Sequence, residues 1–201
     1  DDRRLGARVV VTQNLDKAAV TRGARIGDDL VVTGTIGDGY LGLLAAQGRL
    51  PMLNAPQNLA LEDRYHHPLP RLGLGLALRT HATACADVSD GLAADAGHIA
   101  AASTVGLRID LEAVPLSEAA LAWIALQDDP VAAHLALVTG GDDYELVCTV
   151  PPEQREAFTS NAAALGIAVT RIGTVVSEPG ASLFWRGEVQ NIRTLGYQHR
   201  E

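Results

Sequence analysis

The sequence predicts an α/β (α+β mixed) fold, in which a mixed β-sheet is flanked by helices. Short apolar runs typical of strands alternate with segments of helical spacing along most of the 201 residues, which favours layered α/β packing. Near the C-terminus, a turn at Gly187-Glu188 joins two short strands, and this hairpin predicts a mixed rather than a purely parallel sheet. The core is expected to be aliphatic, because 47% of the residues are hydrophobic but only 4% are aromatic.

In the first half of the chain, glycines and prolines separate the predicted elements. Strands are predicted at 8–12, 30–33 and 82–88, and helices at 40–47, 70–81 and 91–103. Pro70 is expected in the first turn of its helix. The segment 50–58 is predicted to be irregular, with Pro51 and Pro56 as breakers. A polar hinge is predicted at 64–68.

In the second half, strands are predicted at 107–111, 144–150, 169–175, 181–185 and 189–192. Helices are predicted at 117–126, capped by Ser117, and at 152–165. The apolar segment 131–138 fits either a helix or a strand, because short apolar runs are ambiguous.

Charge and cysteine content limit the possible partners and compartment. A formal net charge of -8 argues against binding to nucleic acid or to an anionic membrane surface. Cys85 and Cys148 lie in apolar runs without zinc spacing, which suits core positions in a reducing compartment. No apolar run approaches the roughly 20 residues of a membrane helix, and no signal peptide is visible. A cytoplasmic protein is therefore predicted.

The most informative stretch is Asp-Val-Ser-Asp-Gly-Leu at 87–92, which lies between a predicted strand and a predicted helix. It carries the carboxylates of Asp87 and Asp90 and the hydroxyl of Ser89. A helix N-terminus favours negative charge and offers free backbone N–H groups. Carboxylate and hydroxyl oxygens are hard ligands of the kind that Mg²⁺ prefers, and magnesium held in this way usually binds substrate phosphates as well. The turn therefore suggests a magnesium and phosphate site.

The same residues have a simpler explanation. Ser and Asp are common N-cap residues, so the turn also fits the start of a helix that binds no ligand. Capping requires one side chain, whereas this turn has three. At least one of Asp87, Ser89 and Asp90 is therefore left for another role.

Two further loops have suggestive compositions. Gly-Gly-Asp-Asp-Tyr-Glu-Leu at 140–146 places three acids before a predicted buried strand, and taken alone it fits a β-turn with solvated carboxylates. Two acidic turns in one small domain repel each other unless cations intervene. Glycine-rich loops such as 34–39 can cradle phosphate, but this one lacks the lysine of a P-loop, so a plain tight turn explains it better. No Ser-His-Asp or Cys-His arrangement stands out, and no catalytic residue is predicted.

Taken in order, these motifs resemble those of the thiamine-monophosphate kinase family, in the aminoimidazole-ribonucleotide synthetase superfamily. The most specific pair is the stretch at 87–92 together with the stretch at 140–146. The remaining matches are 19–24, 32–38, 67–71, 95–99, 108–111 and Gly196-Tyr197. The implied fold is that of the superfamily's C-terminal domain, a mixed sheet flanked by helices.

The resemblance implies a phosphotransferase with ATP and thiamine monophosphate as partners. Members of the family move the γ-phosphate of ATP directly onto thiamine monophosphate, which gives thiamine diphosphate, and they need several Mg²⁺ ions. Carried over by position, Asp87 and Asp90 are implied as Mg²⁺ ligands, and Ser89 and Arg22 as contacts of ATP. Phosphoryl transfer depends on positioning and charge neutralisation more than on covalent catalysis, which suits acidic turns without a nucleophile.

Two residues are implied on the thiamine side. Asp142 is expected to touch the cationic ring system, and Tyr197 to stack against it. The family usually has Glu where this chain has Asp142, and the shorter side chain changes the spacing of that contact. Without the resemblance, Tyr197 fits a terminal core aromatic and Arg22 a solvated linker arginine.

The resemblance also predicts the domain organisation. The family's N-terminal domain carries a Gly-Asp-Asp motif, most of the metal ligands and the dimer core, and nothing in this sequence matches it. Residues 1–16 are therefore expected to be the last strand and linker of a missing ATP-binding domain, and 17–201 the C-terminal α/β domain of a homodimeric enzyme, inactive without the other domain. The start at Asp1 rather than Met fits this expectation.

Two alternatives stay open. The chain could belong to another branch of the superfamily, acting on aminoimidazole ribonucleotide, on selenide to give selenophosphate, or on hydrogenase-maturation groups. It could also be a non-catalytic module that binds metal or phosphate.

Overall fold

The structure, a computed structural model, describes residues 21–191. The predicted strand at 8–12 and the predicted domain boundary after residue 16 lie outside the described residues. The strands are β1 (Asp29–Thr33), β2 (Ala84–Asp87), β3 (Gly106–Asp110), β4 (Leu146–Val150), β5 (Val169–Val176), β6 (Gly180–Trp185) and β7 (Glu188–Gln190). The helices are α1 (Asp38–Ala46), α2 (Ala55–His66), α3 (Gly75–His81), α4 (Leu92–Ser103), α5 (Glu118–Ile124), α6 (Pro130–Thr139) and α7 (Arg155–Ala163).

The described strands form one sheet in the order β2-β4-β1-β5-β3-β6-β7. Neighbouring strands are antiparallel except β3 and β6, which run parallel. The prediction of a mixed sheet flanked by helices is confirmed. The reason given for it, the C-terminal hairpin, is wrong. The sheet is largely antiparallel, and the parallel β3–β6 pair makes it mixed. The β6–β7 hairpin turns at Arg186 and Gly187, both of which have positive φ.

The two sides of the sheet have separate cores, because successive side chains of a strand point to opposite faces. Leu30 and Val32 of β1 pack with Ile99 of α4 on one side. Val31 packs with Phe158 of α7 on the other side. A third cluster lies between four helices and contains Leu41, Leu61, Trp123 and Leu137. Each helix between residues 21 and 191 is too short or too polar to cross a membrane.

The two cysteines lie opposite each other in the sheet. Cys85 of β2 pairs with Cys148 of β4 in the strand register, and both thiols are buried and free. The Sγ atoms are 3.2 Å apart. The hydrogen bond to Cys85 and burial together raise the pKa of Cys148. The prediction of core cysteines is confirmed.

Helix α2 contradicts two predictions. The sequence predicts an irregular segment at 50–58 and a hinge at 64–68, yet residues 55–66 form one helix. Asn54 caps it by accepting a hydrogen bond from the Gln57 amide (2.9 Å), and the Gln57 side chain accepts one from the Asn54 amide (3.1 Å). Pro56 lies in the first turn, where a missing N–H is tolerated, so it starts the helix rather than breaking one.

Two other helices begin later than predicted, because 3-10 turns precede them. Leu72–Leu74 comes before α3, so Pro70 lies outside the helix, and Pro152–Gln154 comes before α7. The ambiguous segment 131–138 is helical, with the Asp129 carboxylate accepting hydrogen bonds from the Val131 and Ala132 amides. The first two differences concern only the helix ends.

Candidate functional site

Three loops meet at one edge of the sheet. Strands β1 and β2 both run antiparallel to β4, which lies between them. The C-terminal ends of β1 and β2 therefore lie at the same edge as the N-terminal end of β4. This places the loop at 34–39, the acidic turn at 87–91 and the acidic turn at 140–145 next to one another.

Backbone hydrogen bonds join the two acidic turns directly. Val88 donates its N–H to the carbonyl of Glu145 (2.8 Å) and accepts from Tyr144 (2.8 Å). Asp142 donates its N–H to the carbonyl of Ser89 (3.0 Å). These bonds extend the β2–β4 pairing beyond the regular strands. The two motifs that the sequence singled out are thus neighbours in space.

Glycines permit this close approach. A Cβ at Gly141 would lie 2.4 Å from the carbonyl oxygen of Ser89, and a Cβ at Gly39 would lie 2.3 Å from that of Asp142. Real Cβ atoms do not approach a backbone oxygen so closely. Any other residue at Gly141 would therefore push the two acidic turns apart.

Asp95 organises the turn at 87–91. Its Oδ2 accepts hydrogen bonds from the amides of Ser89 (2.9 Å) and Asp90 (3.0 Å). The N-cap residue of α4 is Gly91, which has no side chain, so neither Ser89 nor Asp90 occupies the N-cap position. Burial raises the pKa of Asp95 to about 6, the two amide bonds oppose that rise, and the charges of Asp90 and Asp87 add to it.

Asp143 likewise holds the loop at 34–39 by accepting hydrogen bonds from its backbone amides. Its buried carboxylate accepts hydrogen bonds from the amides of Gly37 (2.8 Å) and Gly39 (2.9 Å). Burial raises the pKa of Asp143 to about 8, and the two amide bonds oppose the rise. The amides of Gly34 and Ile36 donate to the carbonyls of Ala168 and Pro115. Since these four amides have partners within the protein, the loop fits a tight turn better than a phosphate cradle.

Glu145 is the centre of a buried ion cluster. Its carboxylate is fully buried and accepts hydrogen bonds from the Thr33 hydroxyl (2.6 Å) and from Arg71 Nε (2.7 Å). The guanidinium groups of Arg64 and Arg71 also donate to its Oε1. The hydrogen bond to Glu145 raises the pKa of Arg71. Sequence reasoning missed both arginines as partners, although 67–71 was among the matching motifs.

Asp142 and Tyr144 differ from the two buried acids. Both are partly exposed, and the Tyr144 hydroxyl donates a hydrogen bond to Asp142 Oδ1 (3.1 Å). Their φ angles are 69° and 54°, in the left-handed region that residues with a Cβ rarely adopt. Such strain concentrates at binding and catalytic sites, where the surroundings enforce it. This is the most strained part of the loop cluster.

The structure brings four of the predicted site residues together and leaves Arg22 apart from them. Asp87, Ser89, Asp90 and Asp142 lie in the two joined turns. Arg22 is exposed and precedes Gly23, whose amide donates to Ser103 at the C-terminal end of α4. A helix of 12 residues is about 18 Å long, so the backbone at residue 22 lies a helix length from the turn at 87–91. Tyr197 lies outside the described residues.

The donor set at the acidic turns suits magnesium held jointly with a ligand. Asp87 and Asp90 offer partly exposed carboxylates, and Mg²⁺ usually takes one or two such groups together with waters and substrate phosphates. Residues 21–191 contain no group of three or more His, Cys, Asp or Glu side chains placed to hold a metal. The metal role of Asp87 and Asp90 stays a prediction.

Comparison with known proteins identifies the family. Residues 25–186 match the family described as AIR synthase related protein, C-terminal domain. The chain belongs to this family. Its similarity to AIR synthase related proteins thus covers all the described strands up to β6 and every described helix.

Curated relatives are thiamine-monophosphate kinases. The protein of that name from Caulobacter vibrioides is 47% identical over 178 residues, which is 89% of this chain and 49% of the relative. The one from Escherichia coli K12 is 38% identical over 186 residues, 92% of this chain and 56% of the relative. The resemblance found in the sequence is confirmed. The chain spans about half the length of these relatives.

Solved structures support the same family. The crystal structure of thiamine-monophosphate kinase from Stenotrophomonas maltophilia K279a has a TM-score of 0.74 and 38% identity, covering 87% of this chain and 55% of that one. A structure described as AaThiL complexed with AMPPCP and TMP has a TM-score of 0.73 and 32% identity, covering 90% of this chain and 54% of that one. Escherichia coli HypE, at 21% identity and a TM-score of 0.68, shares the fold.

Proposed function

We propose that this chain is the substrate-side half of a thiamine-monophosphate kinase, which transfers the γ-phosphate of ATP to thiamine monophosphate. The observation that carries the proposal is the direct junction of the turn at 87–91 with the turn at 140–145. The chain that contains these two turns is 47% identical to a curated kinase of this name. The relative solved with AMPPCP and TMP supports the same two substrates.

The proposed roles follow the chemistry of the side chains. Asp87 and Asp90 hold Mg²⁺, Ser89 contacts the nucleotide phosphates, and Asp142 contacts the cationic rings of thiamine. When bound, Mg²⁺ neutralises charge on the phosphates. The remaining metal ligands are expected from the family's N-terminal domain. A homodimer, a cytoplasmic location, and contacts from Arg22 to ATP and from Tyr197 to thiamine belong to the same proposal.

The reaction needs no covalent intermediate on the protein. A phosphate oxygen of thiamine monophosphate attacks the γ-phosphorus of ATP, and the bond from that phosphorus to the β,γ-bridging oxygen breaks. ADP leaves with the electron pair, and thiamine diphosphate is formed. Because the amide of Asp142 is 3.0 Å from the carbonyl of Ser89, the residues for the acceptor and the nucleotide lie side by side. Positioning of this kind supplies much of the catalysis in phosphoryl transfer.

The test measures thiamine diphosphate formed from ATP and thiamine monophosphate by the full-length protein that carries this chain. Asp87→Asn should lower kcat/KM by about 100-fold or more, since even residues that only support metal ligands change affinity or activity by about 10–100-fold. Asp128→Asn, an exposed acid on another loop, is the matched control and should match wild type. Equal activity of wild type and Asp87→Asn would remove Asp87 from the site.

The alternatives are decided by parallel assays. Turnover of aminoimidazole precursors, selenide or hydrogenase-maturation groups in place of thiamine monophosphate would move the protein to another branch. The isolated chain should show little turnover, because the resemblance puts most metal ligands in another domain. Strong formation of thiamine diphosphate by the isolated chain would contradict that point. Binding of ligands by a full-length protein without turnover would favour a non-catalytic module.

A further inference from the structure

Side chains in the turn at 140–145 alternate between inside and outside. Asp143 and Glu145 are 1% and 0% exposed. Asp142 precedes Asp143, and Tyr144 lies between the two buried acids. Both are partly exposed, and they are hydrogen-bonded to each other. The three acids that the sequence presents as one cluster therefore divide into two buried anchors and one residue at the surface of the site.

Each buried acid is held by a different part of the protein. Asp143 accepts from the amides at the start of α1, so it ties the turn to the loop that follows β1. Glu145 binds the hydroxyl of Thr33 at the end of β1, as well as arginines 81 and 74 residues away along the chain. The Arg64 guanidinium also donates to the backbone carbonyl of Asp143 (3.3 Å), which links the two anchors.

The space around the anchors is closed. A Cβ at Gly34 would lie 2.2 Å from Glu145 Oε1. The Thr33 hydroxyl accepts a hydrogen bond from the Leu146 amide (2.8 Å) while it donates to Glu145, so the start of β4 is held as well. A buried charge in such a setting keeps one position, because moving it would leave the arginine charges without partners.

We propose that Asp143 and Glu145 are positioning residues, whose buried carboxylates hold the backbone at Asp142 and Tyr144 in its left-handed conformation and thereby orient Asp142 toward the substrate. Left-handed backbone at two non-glycine residues persists only where the surroundings enforce it, and these two carboxylates are the fixed points on either side of Tyr144. The proposal rests on the proposed function for its substrate. It adds that the affinity for thiamine monophosphate depends on two acids that do not touch it.

The first test follows the turn itself, without any substrate. Amide hydrogen exchange is measured on the full-length protein for Asp143→Asn, Glu145→Gln and the control Glu153→Gln, an exposed acid before α7. Asp143→Asn should speed exchange at Gly37, Gly39 and 142–144 by about tenfold, the size expected for loss of one hydrogen bond. Exchange in β3 and β6 should stay at the wild-type rate. Unchanged exchange in the turn would overturn the proposal.

The second test separates positioning from general stability. In both anchor variants, KM for thiamine monophosphate should rise by about tenfold, and KM for ATP should change by a clearly smaller factor, since the displaced residue Asp142 lies on the acceptor side. Adding Arg71→Met to Glu145→Gln removes one of the unpaired, partly buried charges and should restore part of the lost affinity. Equal changes in both KM values, or no change in either, would count against the anchors.

A milder variant covers the case in which an anchor variant does not fold. Thr33→Val keeps the shape of a fully buried side chain and removes its hydrogen bonds with Glu145 and with the Leu146 amide. It should raise the amide exchange rate in the turn and KM for thiamine monophosphate, each by a smaller factor than the anchor variants do. Wild-type values for both would overturn the proposal. If wild type does not convert thiamine monophosphate, the proposed function fails, whereas the exchange data still judge the anchors.

Discussion

At the scale of single residues, two buried aspartates act as internal caps. Asp95 accepts the amides of Ser89 and Asp90, and Asp143 accepts those of Gly37 and Gly39. In each case a carboxylate satisfies N–H groups near the start of a helix that would otherwise be left without partners. The acids that the sequence suggests as ligands thus include buried caps as well as partly exposed carboxylates. Only their burial distinguishes the two kinds.

Removing the Asp95 carboxylate should destabilise the fold. Asp95→Ala leaves two amides of the turn without their acceptor, and an unsatisfied buried donor costs about 1–3 kcal/mol. Urea denaturation of the chain should show a loss of free energy of unfolding of that size. Asp128→Ala, at an exposed position, is the control, and equal stability of the two variants would contradict the capping role of Asp95.

The pKa values predict a pH dependence of stability. The pKa of Asp95 is raised from 3.8 to about 6, and that of Asp143 from 3.8 to about 8. Between pH 3.8 and each raised pKa, the folded state therefore binds more protons than the unfolded state. The free energy of unfolding falls as the pH rises through that range. The contribution of Asp143 is fully present near pH 4 and is lost by about pH 8.

Urea midpoints measured from pH 5 to 9 test this sign. The difference in stability between wild type and Asp143→Asn should shift against wild type as the pH rises to about 8. All other ionisable groups are common to both proteins, so their effect cancels in the difference. A constant difference across the range would show that Asp143 is ionised throughout.

At the scale of elements, α2 begins with a capping signal that is local in the sequence. Asn54 and Gln57 have the spacing of a capping box, and Pro56 is common in a first turn. An interpretation of Pro51 and Pro56 as breakers predicts an irregular segment, whereas the cap starts a helix here. It matters to the site because its last turn carries Arg64, which binds Glu145.

The cap of α2 should contribute measurably to stability. Asn54→Ala removes the acceptor for the Gln57 amide, and loss of such a cap costs about 1 kcal/mol. Asn54→Ser keeps an acceptor and should stay within a few tenths of a kcal/mol of wild type. Urea denaturation of both variants measures the difference, and a neutral Asn54→Ala would contradict the capping box.

At the scale of the whole molecule, a buried acid binds two arginines at each end of β1. Asp29, at its start, binds Arg155 of α7 and Arg171 of β5. Thr33, at its end, binds Glu145, which binds Arg64 and Arg71. This interior strand is thus connected through buried acids to helices and strands distant in sequence. One of these clusters supports the candidate site, and the other fixes α7.

Two glycine substitutions should have opposite signs. Gly141→Ala places a methyl group 2.4 Å from the Ser89 carbonyl and must separate the two acidic turns, with an expected loss of about 1–3 kcal/mol for overpacking. Gly75→Ala lies in ordinary helical backbone with open space around its Cβ, and should gain about 0.4–1 kcal/mol. Thermal denaturation compares them. A tolerated Gly141→Ala would contradict the tight junction of the turns.

The sequence by itself determined most of the elements and the composition of both acidic turns. Apolar periodicity located the described strands to within a few residues, and Ser117 was found as a cap because capping is local. Family membership also followed from short motifs, since these are contiguous in the chain.

Only the tertiary structure decided which acids are buried and which face the site. Glu145 and its arginine partners are separated by 81 and 74 residues, and no local pattern encodes a contact over that distance. The strand order placed the turns at 87–91 and 140–145 together, because β2 pairs with β4 rather than with its neighbours in sequence. Burial and pairing are properties of the packed sheet, whereas capping and periodicity are properties of short segments.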